Sequence, residues 1–452
     1  MRLRRRSIDT PTILYLIFTV YVALQTCYRN DLAAIPQLRK IENIPLNCTS
    51  VVNGTEDSRQ IERMKQWTFD FESIEFELKN TTDFCETVDK YFNFARNATS
   101  IEEEEYPLAY GLVVYKELVQ VILQLSLFYQ PQHLFCIKID VLADPLFKRA
   151  LMNLHECFPN INVFYGAKSE WGTFGILENV YSCFYYLATQ NHPWKYYQYL
   201  SGSDVPMRTN LEMVRIFKAM GGLFNTDIEE FEYNRKFRRE TILPPVPLFK
   251  SSMSVAVPRA AADYMISSRR VEKLYKYLRK TWIPDESFWT SVAGSPAIVP
   301  VPGAIKAKDI VLFRRNFKLQ APIINTVKHV GLNYIARYQV WQWQNKCRGV
   351  LTHASCVFGV DDVAEMVTRP ELVAHKFYLS YQPAALICMV KELRRRSSHP
   401  LAHEFDASSY SEMPTVEMAQ GRSVMEVTHP DWLIPTSFYN PDLDPGDYSK
   451  FV

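Results

Sequence analysis

The sequence predicts an α/β domain with a mainly parallel central sheet. Three observations carry this. Short apolar runs of strand character alternate with segments of helical periodicity. One run, Leu-Phe-Cys-Ile-Lys-Ile, reads as a buried strand. Two aspartates, Asp140 and Asp204, stand where strand runs end.

In chain order, Leu118, Val121, Ile122 and Leu125 have helical spacing. His133 to Asp140 is the buried strand. Pro145–His155 is a helix candidate and Ile161–Tyr165 a short strand. Tyr196–Leu200 is a third strand, with Ser201-Gly202-Ser203-Asp204 as its turn. Asn210 is placed to cap a helix whose apolar face is Met213, Ile216, Phe217 and Met220, and Gly221 ends it. In open sheets of this kind ligands sit beyond the carboxyl ends of strands. Asp140 and Asp204 fall there, and each is equally readable as a turn residue.

The flanks differ from this domain. The chain has 452 residues, 47% of them hydrophobic, enough for one large or two medium domains. A net charge of +2 gives no field that would draw nucleic acid. Arg2, Arg4, Arg5 and Arg6 precede an apolar run from Thr12 to Tyr28, which predicts a cytoplasmic tail (1–11) and a transmembrane signal anchor (12–28). A cleaved signal peptide is the competing reading. Residues 29–105 read as a lumenal stem and the start of the globular region, with Glu102–Glu105 as a solvated acidic face. Sequons at Asn47, Asn53, Asn80 and Asn97 all precede residue 100 and predict N-glycosylation. Residues 106–398 read as the main domain, and 399–452, polar and then rich in Pro, Asp and Tyr, as a poorly ordered tail. Eight cysteines remain outside the anchor, an even number that suits four disulfides in an oxidising compartment.

The most informative run is Trp-Ile-Pro-Asp-Glu-Ser-Phe-Trp at 282–289. It sets Glu286 among aromatics, after a proline that fixes the backbone, as suits a general base facing a ring-shaped substrate. A helix N-terminus with Asp285 as cap is the plainer reading. Trp341 and Trp343 read either as a sugar-stacking platform or as one face of a half-buried strand. Residues 106–398 contain no Asp-x-Asp, the chain's one such run being Asp442-Leu443-Asp444 in the tail; no P-loop or G-x-G-x-x-G occurs, and His192, His353 and His375 lack metal-ligand spacing. A diphosphate leaving group would therefore need side-chain cations, for which Lys376, Arg235 and Arg238 are candidates.

Several ordered motifs are similar to one family. Gly202-Ser203-Asp204-Val205-Pro206 followed by Arg208-Thr209-Asn210 resembles the hallmark of the core-2/I-branching β-1,6-N-acetylglucosaminyltransferases, a family with peptide xylosyltransferase relatives. Leu243-Pro244-Pro245 through Phe249, Pro284-Asp285-Glu286 through Trp289, and Cys356-Val357-Phe358-Gly359 with Lys376-Phe377 are also similar. The likeness implies a GT-A-like fold in a single-pass Golgi membrane protein with a lumenal catalytic domain. It implies inverting transfer, without a metal or other cofactor, from a UDP-sugar to the 6-hydroxyl of an O-glycan core such as Galβ1-3GalNAc. It pairs Cys48 with Cys388, Cys85 with Cys157, Cys136 with Cys183, and Cys347 with Cys356. It makes Glu286 the base and Lys376 the diphosphate cation. Asp140, Trp171 and Asp204 fall on the donor side, and Asp227, Arg235, Arg238, Trp341 and Trp343 on the acceptor side. Two positions depart from the pattern: His353 and Ile176 stand where the family often has Arg. A protonated imidazole at His353 would do the missing arginine's work. UDP-glucose or UDP-xylose as donor, and a catalytically silent lectin-like protein, are the alternatives.

Overall fold

Strand side chains alternate between two apolar layers, and this alternation builds the sheet. On β2 (Leu134–Ile139), Phe135, Ile137 and Ile139 enter one layer while Leu134 and Cys136 enter the other. Such two-sided burial is what a central parallel strand requires. The computed structural model describes residues 40–427 apart from Glu56, 237–241, 317–333, Asn345 and 401–404. In it β1 (Leu108–Val114), β2, β3 (Ile161–Tyr165) and β4 (Tyr196–Ser201) are parallel in the order β3-β2-β1-β4. Val255–Pro258 adds antiparallel to β4, and Asn225–Thr226 antiparallel to that strand. The expected mainly parallel α/β sheet is therefore present.

Helix Leu118–Phe128 covers one face and helix Phe174–Thr189 the other. Two buried glutamines on the first tie it to the functional end of the sheet. Gln124 donates to Ser201 O (2.8 Å). Gln120 donates to Phe377 O (2.8 Å) and accepts from Leu379 N (2.9 Å).

Several expectations need correction. The helix cap is Thr209, in a reciprocal capping box with Glu212. Asn210 is the first helical residue, and its side chain instead bridges Glu103 Oε1 (2.8 Å) and His133 Nε2 (2.7 Å). Glu103, expected on a solvated face, is thus buried; burial also pushes His133 down to about 4. The stretch taken for stem is helical from Ile41 and lends Ile41, Ile44, Val51, Ile74, Leu78 and Val88 to the core. The described residues of the tail, which reach Val427, are folded, with Tyr410, Met413 and Val416 in the core. Its remainder, 428–452, lies outside the described residues, as do the tail and anchor segments 1–11 and 12–28. Among the described residues no helix is long and apolar enough to cross a membrane. The four disulfides implied by the family likeness are all formed. All four sequon asparagines are exposed.

Candidate active site

The turn that carries Glu286 is held from three sides. After helix Arg269–Leu278 the chain enters a left-handed residue, Ile283 (φ 51°), and Pro284–Glu286 forms a single 3-10 turn. Ile283 N donates to Gly172 O (3.0 Å), Trp282 N to Arg235 O (2.8 Å), and Ser251 N to Glu286 O (2.6 Å). Three separate segments thus fix one backbone turn.

Arginine, not aromatic walls, orients the Glu286 carboxylate. Phe288 and Trp289 are fully buried in the core, with Trp289 Nε1 bonded to Met253 O (3.0 Å). Arg235 Nη2 donates to Glu286 Oε2 at 2.9 Å, and Arg235 Nε donates to Glu232 Oε2 at 2.9 Å. Lys250 Nζ completes the chain on Glu232 Oε1 (2.6 Å). The Arg235 side chain is 4% exposed and that of Glu286 25%, so of this pair Glu286 is the one that reaches solvent. Asp285 caps no helix, and its Oδ1 is buried without a partner. Burial pushes its carboxyl up to about 7, and the neighbouring Glu286 charge adds to the shift.

The Gly-x-Asp-x-Pro motif does more than turn the chain. Asp204–Pro206 is a short strand antiparallel to Val373–His375, which sets Asp204 opposite His375. Asp204 Oδ1 meets His375 Nδ1 at 2.7 Å, while Oδ2 accepts from Arg337 (2.6 Å) and Ser201 N (2.7 Å). Its side chain has no exposed surface. Asp204 therefore supports the turn into Lys376 and offers no free oxygen to a donor. Burial would raise its carboxyl, but Arg337 and His375 outweigh that and hold it below the usual range. Burial, with the Arg337 charge behind it, lowers His375 to about 4, so the imidazole is neutral.

Lys376 lies next in the chain, 6% exposed, with its ammonium on Thr352 O (2.9 Å). Thr352 ends one strand of the hairpin Val350–Thr352/Ser355–Val357, whose turn carries His353, exposed and left-handed (φ 51°). The Cys347–Cys356 disulfide closes this hairpin. Lys376 and His353, matched from sequence alone, thus share one structural unit.

The other candidates divide. Asp140 follows β2, where its oxygens accept Leu142 N (2.7 Å) and Ser169 N (2.5 Å). Trp171 is 66% exposed and packs edge-on against Trp282 at 5.1 Å. Gly172 (φ 79°) beside it is obligatory, since a Cβ would stand 2.3 Å from the Trp282 indole nitrogen. Trp171 is thereby coupled to the turn that carries Glu286. Ile176 packs on the apolar layer that buries Leu177. Asp227 O accepts from Thr290 Oγ1 (2.5 Å), on the helix after Glu286. Trp341 is half-buried in a β-bridge to Ser355 and leads into a 3-10 turn, not a strand face. The Trp343 side chain and Arg238 lie outside the described residues. Arg337 and Glu232 were missed, because no local pattern marks them, and Asp285 was read only as a helix cap. Among the described residues no three of His, Cys, Asp and Glu converge as metal ligands do.

Comparison with known proteins identifies the family. A sequence profile of the Core-2/I-Branching enzyme family matches residues 108–367. A human beta-1,3-galactosyl-O-glycosyl-glycoprotein beta-1,6-N-acetylglucosaminyltransferase is 26% identical over 89% of this chain and 99% of its own length. A bovine relative of that name, numbered 3, is 26% identical over 70% of this chain and 74% of its own. A mouse N-acetyllactosaminide beta-1,6-N-acetylglucosaminyl-transferase is 27% identical over 66% and 75%. The chain belongs to the Core-2/I-Branching enzyme family and is a glycosyltransferase.

Proposed function

We propose that this enzyme transfers N-acetylglucosamine from UDP-GlcNAc to the 6-hydroxyl of an O-glycan core such as Galβ1-3GalNAc, with inversion and without a metal ion. The observation that carries this reading is the Glu286 carboxylate, part-exposed and fixed by Arg235 on a turn held from three sides. Glu286 takes the proton of the acceptor hydroxyl as that oxygen bonds to C1 of the donor. The bond from C1 to the phosphate oxygen breaks, and UDP departs with its electron pair. Lys376 and His353 stabilise the charge that develops there. The names of the relatives, which are beta-1,6-N-acetylglucosaminyltransferases, support this choice of donor sugar and linkage. We place the enzyme in the Golgi membrane, anchored by residues 12–28, with its sequons facing the lumen.

The test is UDP release from UDP-GlcNAc, UDP-glucose and UDP-xylose with Galβ1-3GalNAc, with and without EDTA, and NMR of the product linkage. A β-1,6-linked GlcNAc formed in EDTA is the expected result. Turnover abolished by EDTA overturns the metal-free mechanism. Turnover with another sugar alone reassigns the donor, for which Ile176 and His353 are the positions to examine. Glycan binding without any turnover overturns the catalytic reading in favour of a lectin-like protein.

A further inference from the structure

The central strand β1 ends at Val114 and passes the chain to Tyr115 and Lys116. Glu117 then adopts a left-handed conformation (φ 62°) before helix Leu118–Phe128 begins. A non-glycine residue there costs on the order of 1 kcal/mol, so the fold imposes the direction of this short link. It places Lys116 at the carboxyl end of the parallel sheet, where ligands of α/β enzymes sit.

Lys116 and Lys376 converge on one ring. Lys116 Nζ stands 5.1 Å from the Tyr378 ring centroid and Lys376 Nζ 5.7 Å from it. Gln120 holds the segment carrying that ring through Phe377 O and Leu379 N. Neither ammonium has a strong acidic partner among the described residues. The Lys376 hydrogen bond goes to a neutral carbonyl, and the Lys116 carboxylate contact is Glu117 at 4.0 Å. Burial lowers the Lys376 pKa, and the Lys116 charge lowers it further, so the two cations repel each other. Such a pair raises the energy of the free enzyme and is relieved by a bound anion.

We propose that Lys116 is the second cation of the leaving-group site, binding the UDP diphosphate together with Lys376. The inference rests on the donor reading above. It explains how a chain with His353 in the family's arginine position still gathers two permanent charges. The tyrosine face keeps both ammonium groups near the sheet edge while their N–H donors stay free to meet phosphate oxygens.

The test uses the full chain in detergent, with calorimetric binding of UDP, UMP and uridine and with transfer kinetics. Lys116→Met keeps the apolar stem and removes the charge. It is expected to weaken UDP binding about tenfold, the loss of one charged hydrogen bond. Uridine binding and the acceptor KM stay as in wild type, and Lys116→Arg restores most of the UDP affinity. Lys116→Gln is the second neutral variant, and a thermal scan of each checks the fold. UDP binding by Lys116→Met equal to wild type, while Lys376→Met loses it, overturns the role of Lys116 alone. Failure of the wild type to bind UDP or release it from any donor overturns the donor reading as well.

Discussion

Arg235 Nη2 bonds one oxygen of Glu286, Oε2, and leaves the other with no hydrogen bond from the described residues. The guanidinium is a fork, with its Nε on Glu232. The carboxylate is therefore oriented through one oxygen, and in the proposed mechanism Oε1 is the atom that would receive the proton. Glu286→Gln keeps the Arg235 contact through its amide oxygen and cannot take that proton. It is expected to lower kcat by about 10²–10⁴ while UDP binding and melting temperature stay near wild type. A kcat within threefold of wild type would remove Glu286 from the role of base.

Lysine cannot replace Arg235, although it keeps the charge. One ammonium does not reproduce two divergent N–H donors of fixed geometry. Arg235→Lys should hold Glu232 or Glu286, not both, and let the base wander. Roughly tenfold or more is expected to be lost in kcat, with a smaller change in UDP affinity. Equal kcat for Arg235→Lys and wild type would show that charge alone suffices.

Asp285 stores instability beside the base. Its folded-state carboxyl titrates near 7, against a usual value of 3.8. Above 3.8 the unfolded chain releases that proton more readily than the folded one, so stability falls as pH rises toward 7 and then levels. Asp285→Asn removes this dependence. Its advantage over wild type should be near zero at pH 4, widen to pH 7, and reach about 2–4 kcal/mol at pH 8. Denaturant melts at three pH values decide the point; a pH-independent difference would mean that Asp285 is not held neutral by its surroundings.

How much of this was legible depended on whether the cause was local. Helix Leu118–Phe128, β2, β3, β4 and the Pro-Asp-Glu turn carry their own patterns and were read. β1 was not, although it is central. Gly111 interrupts its strand signal, and the reason for that glycine lies elsewhere: a Cβ would stand 2.5 Å from the Tyr197 hydroxyl. Helix Phe174–Thr189 buries one face and packs Phe174 and Tyr181 against Tyr275, so its aromatic-rich sequence obscured the helical period. The N-terminal helices escaped because few apolar residues, such as Ile74 and Leu78, lie among many polar ones. The site divides in the same way. Glu286 and Lys376 sit in recognisable runs, but the Asp204 partner, Arg337, is 133 residues away in sequence. Only folding brings it there.

That distant pair carries its own prediction. Asp204→Asn leaves Arg337 buried, charged and without its carboxylate, a loss of about 3–5 kcal/mol. The folded-state carboxyl lies below 3.8, so the stability it contributes is fully present above that pH. It is lost as pH falls through the lower folded value. The gap between wild type and Asp204→Asn should be constant from pH 5 to 8 and narrow below about 4. A gap that narrowed between pH 7 and 5 would assign the dependence to His375 instead.

Two disulfides of very different span should separate stability from donor binding. Cys48 and Cys388 are 340 residues apart and join the N-terminal helices to the buried helix Pro383–Ser398. Cys347 and Cys356 are 9 apart and close only the hairpin that carries Thr352 and His353. Chain-entropy arguments give the long loop about 5–6 kcal/mol and the short one about 3 kcal/mol. Replacing Cys48 and Cys388 by Ser should therefore cost more in denaturant stability. Replacing Cys347 and Cys356 by Ser loosens the carbonyl that orients Lys376 and should raise the Kd for UDP several-fold with a smaller loss of stability. The reverse ranking, with UDP affinity following the long disulfide, would mean that the hairpin does not set the position of Lys376.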